Sequence, residues 1–193
     1  MDRISDVWLV TGGGRSGKSE YAENLTKECA AGGSPGVLYI ATGVATDAEM
    51  EERIAHHREH RPKEWITWEK DRNFGNIESE FDPDDFIAIL LDCVGNLLMG
   101  AMYELIPDPD SFESETIVKV EQRVIADIDI LRGYAKKYGK RLIFVTNEVG
   151  MGIIPPTRYS RYFRDSLGRI NKYIAGISDK AVLMVAGLPV ILK

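Results

Sequence analysis

The apolar positions of the 193-residue chain fall into short runs that alternate with stretches of helical pattern. Within each run the side chains are apolar throughout, so both faces of the strand are expected to be covered. Strands of this kind are typical of a parallel sheet with helices on both sides, which predicts an α/β fold. Because no repeat or linker interrupts the pattern, we expect one domain over residues 1–193. The predicted strands are 7–10, 37–42, 86–91, 142–146 and 181–186.

A long amphipathic helix is predicted between the third and fourth strands, because apolar residues recur there at steps of three and four. These residues are Ile117, Val120, Val124, Ile128 and Leu131.

The carboxyl ends of the strands are where an open parallel α/β sheet binds its ligands. The sequence therefore predicts that the segments following the strands meet in one cleft. One of them, Asn147–Glu148 with Gly150 and Gly152, could also be a glycine loop that only turns the chain, and its role stays open. The segments are Gly12–Ser19, Ala41–Gly43, Asp92 and Asn147–Glu148.

A phosphate-binding loop is predicted where the first strand meets the first helix. The segment GGGRSGKS satisfies the pattern G-x-x-x-x-G-K-[ST] and lies between an apolar run and a helical composition. Backbone N–H groups and the helix N-terminus would bind the phosphates, while Lys18 would neutralise the β and γ oxygens and Ser19 would hold Mg²⁺. A glycine turn with a chance lysine is the alternative, which the flanking strand and helix disfavour. The predicted nucleotide-binding residues here are Gly12, Gly13, Gly14, Arg15, Ser16, Gly17, Lys18 and Ser19.

Asp92 closes the third predicted strand, where P-loop proteins place the acidic partner of Mg²⁺. A helix cap or turn aspartate is the alternative interpretation. Asp92 to Gly95 also fits the D-x-x-G of regulatory GTPases. The guanine-reading N-K-x-D is missing, however, since Tyr173 and Ile174 follow Asn171-Lys172, so a GTPase switch is set aside.

Composition narrows the class of protein. The net charge of -6 argues against a general polyanion-binding surface and therefore against nucleic acid as a partner. The two cysteines, Cys29 and Cys93, form no C-x-x-C, which favours a reducing compartment and argues against structural zinc. No apolar run reaches membrane-spanning length and no signal core is visible at the start. We expect a soluble cytoplasmic protein without membrane insertion.

A histidine on a predicted helix after the second strand is the second candidate for chemistry. Thr46 and Glu49 form a capping box, and Met50, Ile54, His57 and Arg61 then share one face, with His56 about 100° away. On spacing alone, His57 could be a partly buried core residue. It could also be a nucleophile, because neutral imidazole can attack phosphorus while a neighbouring arginine stabilises the oxyanions. The spacing does not decide between the two.

Several of these motifs together resemble the bifunctional adenosylcobinamide kinase/adenosylcobinamide-phosphate guanylyltransferase family. The resemblance covers nearly the whole chain, and its most specific parts are the histidine segment and the stretch VTNEVGMGIIP. The matching elements are GGGRSGKS, residues 38–42, Arg53-Ile54 with His56-His57 and Arg61-Pro62, Trp65 with Glu69, residues 146–152, Phe163-Arg164-Asp165, Gly168-Arg169 and Asn171.

This resemblance implies two successive reactions. The γ-phosphate of ATP or GTP would go to the aminopropanol hydroxyl of adenosylcobinamide. A histidine would then attack the α-phosphorus of GTP, and the adenosylcobinamide phosphate would take the GMP to give adenosylcobinamide-GDP. The family's segment has its guanylylated histidine four residues before the arginine of an Arg-Pro pair, here Arg61-Pro62, so the resemblance implies that this histidine is His57, with His56 as the less favoured alternative.

The resemblance also implies a site, a fold and an assembly. It implies a P-loop, RecA-like three-layer fold with a mostly parallel sheet and one antiparallel edge strand. Residues 189–192 would suit that edge strand. The resemblance also implies that the protein assembles as a homotrimer. Mg²⁺ would be the cofactor, held by Ser19 and Asp92. Besides the phosphate loop, the implied nucleotide contacts are Ala41, Thr42, Gly43, Arg58, Glu59, His60, Arg61, Glu69 and Asp92.

Two other classes remain as alternatives. A monofunctional P-loop small-molecule kinase would need Lys18 and the cleft, but His57 would be only structural and no covalent intermediate would form. A nucleotide-binding regulatory protein would use the loop as a switch and would transfer no phosphoryl group.

Overall fold

A computed structural model describes residues 6–30, 36–43, 62 and 64–193 of the chain. All its strands belong to one seven-stranded sheet with the order β3-β2-β4-β5-β1-β6-β7. Neighbouring strands are parallel except β6 and β7, which are antiparallel. The strands are β1 Val7–Gly12, β2 Gly36–Ala41, β3 Ile66–Glu69, β4 Phe86–Asp92, β5 Arg141–Asn147, β6 Lys180–Val185 and β7 Leu188–Ile191.

The helices of the described residues cover both faces of this sheet. One face packs against α1, and the opposite face packs against α3, α4 and α5. Successive residues of the central strands therefore enter two different cores, as Leu142 and Ile143 do. The helices are α1 Lys18–Ala30, α2 Ile77–Glu80, α3 Val94–Leu105, α4 Ser114–Tyr138 and α5 Arg158–Ile177, with single 3₁₀ turns at Phe74–Asn76 and Pro83–Asp85.

The predicted architecture is confirmed: the chain has an α/β P-loop fold with a mostly parallel sheet and one antiparallel edge strand. The apolar runs became buried strands because each lies between two helical layers. The five apolar positions of the long predicted helix are all buried on one side of α4. Within the described ranges, no helix is long and apolar enough to cross a membrane.

The sequence analysis missed one strand, β3. Its four residues alternate between half-buried and exposed positions, because β3 is the edge of the sheet and has a neighbour only on one side. Such a short alternating segment contains no continuous apolar run, and that run was the signal used for the other strands. The predicted helix from Thr46 through His57 lies outside the described residues.

Candidate active site

The loop between β1 and α1 has the close contacts of a tight phosphate cradle. A Cβ atom placed on Gly12 would lie 2.5 Å from Ser16 Oγ and 2.6 Å from the backbone oxygen of Met184. Gly17 adopts a φ of 86°, a left-handed conformation that glycine enters without steric cost. Glycine is thus required at position 12 because there is no space for a side chain, and at position 17 because of the backbone conformation.

The turn between β6 and β7 holds this loop from the side. The Gly187 N–H donates to the Ser16 carbonyl at 3.1 Å. Ala186 and Gly187 both have positive φ, at 50° and 81°, as a two-residue hairpin turn requires. The antiparallel edge strand therefore positions the phosphate loop as well as ending the sheet, a role that the sequence analysis did not find.

Unpaired polar groups lie at the end of β1 and in the loop that follows it. The buried hydroxyls of Thr11 and Ser16 have no hydrogen-bond partner in the described part of the chain. An unpaired buried hydroxyl costs free energy, so a site that leaves two of them open favours a polar ligand. Lys18 starts α1, and its Nζ donates to the Gly13 carbonyl at 3.1 Å, which keeps the ammonium against the loop.

Asp92 ends β4 at the same edge of the sheet. The Tyr39 hydroxyl donates to Asp92 Oδ2 at 2.9 Å, while Oδ1 has no partner among the described residues. Thr42 holds the next peptide, because its hydroxyl donates to the Cys93 carbonyl and accepts from the Cys93 N–H, both at 2.7 Å. The Asp92 carboxylate is therefore oriented by residues of β2, with one oxygen left open.

The environment of Cys93 favours the protonated thiol, which is a poor nucleophile. Burial, and secondly the charge of Asp92, raises the pKa of the Cys93 thiol to about 11, although the Lys18 cation acts in the opposite direction. The thiol is protonated at neutral pH, and only the thiolate is strongly nucleophilic.

Strand β5, which ends at Asn147, lies between β1, the strand before the phosphate loop, and β4, the strand that ends at Asp92. In register, Asn147 is opposite Gly12, and the following Glu148 N–H donates to the Gly12 carbonyl at 2.9 Å. The Asn147 carbonyl accepts from Asn171 Nδ2 at 3.0 Å, and the Thr146 hydroxyl donates to Asn171 Oδ1 at 2.7 Å. The end of β5 is thus fixed to both the phosphate loop and α5.

The structure brings together the loop, Thr42, Asp92 and Asn147, as the predicted cleft requires. Glu69 ends β3 opposite Ala41 at the same edge of the sheet, but β3 is four strand spacings, or about 19 Å, from β1. The other predicted site residues lie outside the described part of the chain: His56, His57, Arg58, Glu59, His60 and Arg61.

The positioning residues Tyr39 and Gly187 were missed by the sequence analysis. Tyr39 stands inside an apolar run, and only its pairing with β4 reveals that its hydroxyl reaches Asp92. Gly187 is far from the motif along the chain. In the described residues, no three His, Cys, Asp or Glu side chains form a cluster suited to a metal.

Comparison with known proteins gives a consistent family. The family model described as "Cobinamide kinase / cobinamide phosphate guanyltransferase" matches residues 8–192. The bifunctional adenosylcobalamin biosynthesis protein CobU of Salmonella typhimurium is 40% identical over 186 residues, covering 96% of this chain and 98% of that protein. Its counterpart from Escherichia coli is 38% identical over 188 residues, with the same coverage of both chains. The protein CobP of Pseudomonas aeruginosa is 35% identical over 186 residues, covering 96% of each chain.

Proposed function

The chain belongs to the cobinamide kinase / cobinamide phosphate guanyltransferase family and is an enzyme of that class, and we propose how its own residues carry out the two reactions. The first reaction phosphorylates adenosylcobinamide with ATP or GTP. The second transfers GMP from GTP to the adenosylcobinamide phosphate and gives adenosylcobinamide-GDP. The observation that carries this proposal is the family match, because it spans residues 8–192 and thus both the phosphate loop and the histidine segment.

In the kinase reaction, the loop from Gly12 to Ser19 binds the triphosphate. The backbone N–H groups and the start of α1 supply partial positive charge, and Lys18 neutralises the β and γ oxygens as charge moves toward the leaving group. The open hydroxyl of Ser16 supports this assignment, because a phosphate oxygen would complete its hydrogen bonding. The glycine contacts support it as well, since they leave no room for side chains where the loop is tightest.

Mg²⁺ fits the oxygen groups at the end of this cleft. The Ser19 hydroxyl and the open Oδ1 of Asp92 are hard oxygen ligands of the kind that Mg²⁺ binds together with water and phosphate oxygens. When bound, Mg²⁺ would neutralise charge on the β and γ phosphates. Tyr39 would orient the carboxylate through its hydrogen bond to Oδ2.

In the second reaction, we assign the attack on the α-phosphorus of GTP to His57, with His56 as the less favoured alternative. A new bond forms between the imidazole nitrogen and the α-phosphorus, and pyrophosphate leaves with the electron pair of the broken P–O bond. The cobinamide phosphate oxygen then displaces the histidine. Support comes from the position of His57 four residues before Arg61, which could stabilise charge on the phosphorus oxygens.

The remaining nucleotide contacts are assigned by the same reasoning. Ala41, Thr42 and Gly43 follow β2 beside Asp92, where the Thr42 N–H donates to the Asp92 carbonyl at 3.1 Å. Glu69 lies next to Ala41 in the sheet and would contact the nucleoside rather than the phosphates. Arg58, Glu59, His60 and Arg61 accompany the histidine.

We also propose that the enzyme acts in the cytoplasm as a homotrimer, without nucleic acid or membrane insertion. Exposed aliphatic side chains along the β6–β7 edge support assembly, because an uncovered apolar edge strand invites association. Sedimentation equilibrium would give three times the mass of one chain, and a monomer would contradict the assembly. The exposed side chains are Val185, Leu188, Val190, Ile191 and Leu192.

Covalent labelling tests the proposed mechanism. Incubation with GTP labelled at the α-phosphate should give a protein adduct that is stable in base and labile in acid, as expected of a phosphoramidate. His57→Ala should abolish this adduct, whereas His56→Ala should retain it. Phosphorylation of adenosylcobinamide should survive in both variants, since that reaction uses the phosphate loop.

Two results would contradict the assignment. Pure protein with kinase activity but no adduct would exclude the covalent mechanism and support a monofunctional kinase. An adduct that persists in His57→Ala and disappears in His56→Ala would move the nucleophile by one residue.

A further inference from the structure

Asn147 occupies the centre of the cleft, because β5 lies between the strand of the phosphate loop and the strand of Asp92. Its backbone is fixed on two sides. The next residue donates to the Gly12 carbonyl at 2.9 Å, and Asn171 donates to the Asn147 carbonyl at 3.0 Å. The backbone of Asn147 is therefore held relative to the phosphate loop before any ligand binds.

The side-chain amide of Asn147 lies near the first turn of α3, the helix that follows β4. Its Nδ2 atom is 3.6 Å from the place where a Cβ would stand on Gly95, and that same place is 3.7 Å from Cys93 Sγ. Gly95 lies in the first turn of α3, directly after Asp92 and Cys93. The carboxamide thus lies next to the helix that follows Asp92, on the strand between that of Asp92 and that of the phosphate loop.

The hydrogen-bonding capacity of this carboxamide is unused. An asparagine side chain offers two donors and an acceptor oxygen, yet that of Asn147 has no partner within the described ranges, although the main chain of the same residue is bonded. The neighbouring Glu148 differs, since its Oε1 accepts from the Gly150 N–H at 2.5 Å and so turns into its own loop. Asn147, the last residue of β5, thus has a side chain without a hydrogen-bond partner in the described part of the chain, whereas the side chain of Glu148 is bonded within its own loop.

We propose that the Asn147 carboxamide contacts the phosphoryl group during transfer, with Nδ2 donating to a γ-phosphate oxygen and Oδ1 accepting from the acceptor hydroxyl. This inference rests on the proposed kinase function of the cleft. In that reaction the hydroxyl oxygen bonds to the γ-phosphorus and the bond from that phosphorus to the β–γ bridging oxygen breaks. The nucleoside diphosphate leaves with the electron pair, and the hydroxyl proton passes to water.

The chemistry of an amide suits this role. A carboxamide is not a base at neutral pH, so Asn147 aligns the hydroxyl with the phosphorus and does not remove the proton. It donates to one partner and accepts from the other at the same time, which carboxylate or ammonium side chains cannot do when ionised. Alignment of the reacting groups and a fixed donor toward the developing charge both lower the barrier.

Asn147→Leu removes the hydrogen bonds at similar size and is the principal test. We expect kcat for phosphorylation of adenosylcobinamide to fall about 100-fold, as when one fixed donor is removed from a transition state. The Kd for GTP and the guanylylation of His57 should change less than about threefold, because neither depends on transfer of the γ-phosphoryl group. Asn147→Asp should lower kcat further and also weaken GTP binding, through repulsion of the phosphates.

Asn76→Ala is the control, since this carboxamide is paired with Lys70 and Glu80 beyond the end of the edge strand β3. It should leave kcat unchanged, and thermal unfolding of all variants would report on folding. Normal phosphorylation by Asn147→Leu would overturn the inference while leaving the proposed function intact. Parallel losses of phosphorylation, guanylylation and GTP affinity would show a merely structural role and also overturn it. A wild-type protein that phosphorylates no cobinamide would end both proposals.

Discussion

Two polar clusters lie along the carboxyl edge of the sheet, and they differ in how their hydrogen bonds are used. The central cluster is at the ends of β1, β4 and β5 and consists of Thr11, Ser16, Asp92 and Asn147. The outer cluster is beyond the end of β3 and consists of Lys70, Asn73, Asn76, Arg123 and Asp127. The outer cluster lines an open cavity of about 540 Å³, large enough for a small molecule.

The outer cluster satisfies its polar groups internally. Asp127 is 2% exposed and accepts from the N–H groups of Asn73 and Phe74, both at 3.0 Å. Lys70 bonds to the Asn76 side chain, and Arg123 bonds to the Asn73 side chain. These contacts hold the turn after β3 on α4, which is a structural task.

The central cluster leaves the same kinds of groups open. The hydroxyls of Thr11 and Ser16, one Asp92 oxygen and the Asn147 carboxamide have no partner in the described part of the chain. Leaving the two buried hydroxyls unpaired costs stability, and a ligand that pairs them would offset this cost. Free hydrogen-bonding capacity therefore distinguishes the central cluster from the outer cluster.

The largest effect on the central cluster is expected from Gly12→Ala. The added methyl would stand 2.5 Å from Ser16 Oγ and 2.6 Å from the Met184 backbone oxygen, so the loop must shift. We expect the Kd for GTP to rise about 100-fold, measured by calorimetry. Gly133→Ala on the exposed side of α4 is the matched control, because its methyl would also meet nothing within 4 Å and the residue lies outside the phosphate loop. Equal GTP binding by both alanine variants would show that the tight contacts are not needed.

A smaller effect is expected from Tyr39→Phe, which removes the donor to Asp92 Oδ2. Loss of a residue that orients a metal ligand typically costs 10–100-fold, and we expect about tenfold in the Mg²⁺ concentration needed for half-maximal phosphorylation. GTP binding without Mg²⁺ should not change. Tyr103→Phe at an exposed position is the control. An unaltered Mg²⁺ dependence would exclude this role of Tyr39.

In the outer cluster, Asp127→Asn should change stability and leave catalysis intact. The amide places a donor against a backbone N–H, so we expect a loss of about 2 kcal/mol in the free energy of unfolding, measured by urea denaturation. The kcat values of both reactions should be unchanged, and Asp110→Asn on an exposed loop should alter neither quantity. A specific loss of activity without loss of stability would assign the outer cluster to the active site and remove the contrast.

The sequence predicted most of the fold because its central strands are buried on both faces. That burial demands continuous apolar runs, and the runs predicted β1, β2, β4, β5 and β6 within one or two residues. The edge strand β3 was missed because one neighbouring strand and half-exposed side chains require no such run. The phosphate loop and Asp92 were likewise predictable, since each depends on residue types at fixed distance from a strand end.

Only the tertiary structure determined which groups form hydrogen bonds to the phosphate loop and to Asp92, and which polar side chains are left without a partner among the described residues. Gly187 is about 170 residues from Ser16 along the chain, and Tyr39 is 53 residues from Asp92, so no local pattern could connect either pair. The same holds for Asn147, whose carboxamide became a candidate for catalysis because folding bonded its backbone and left its side chain unpaired. The local sequence determines where strands, helices and the phosphate loop occur along the chain. Which distant polar groups form hydrogen bonds is determined only when the strands pair in the folded sheet.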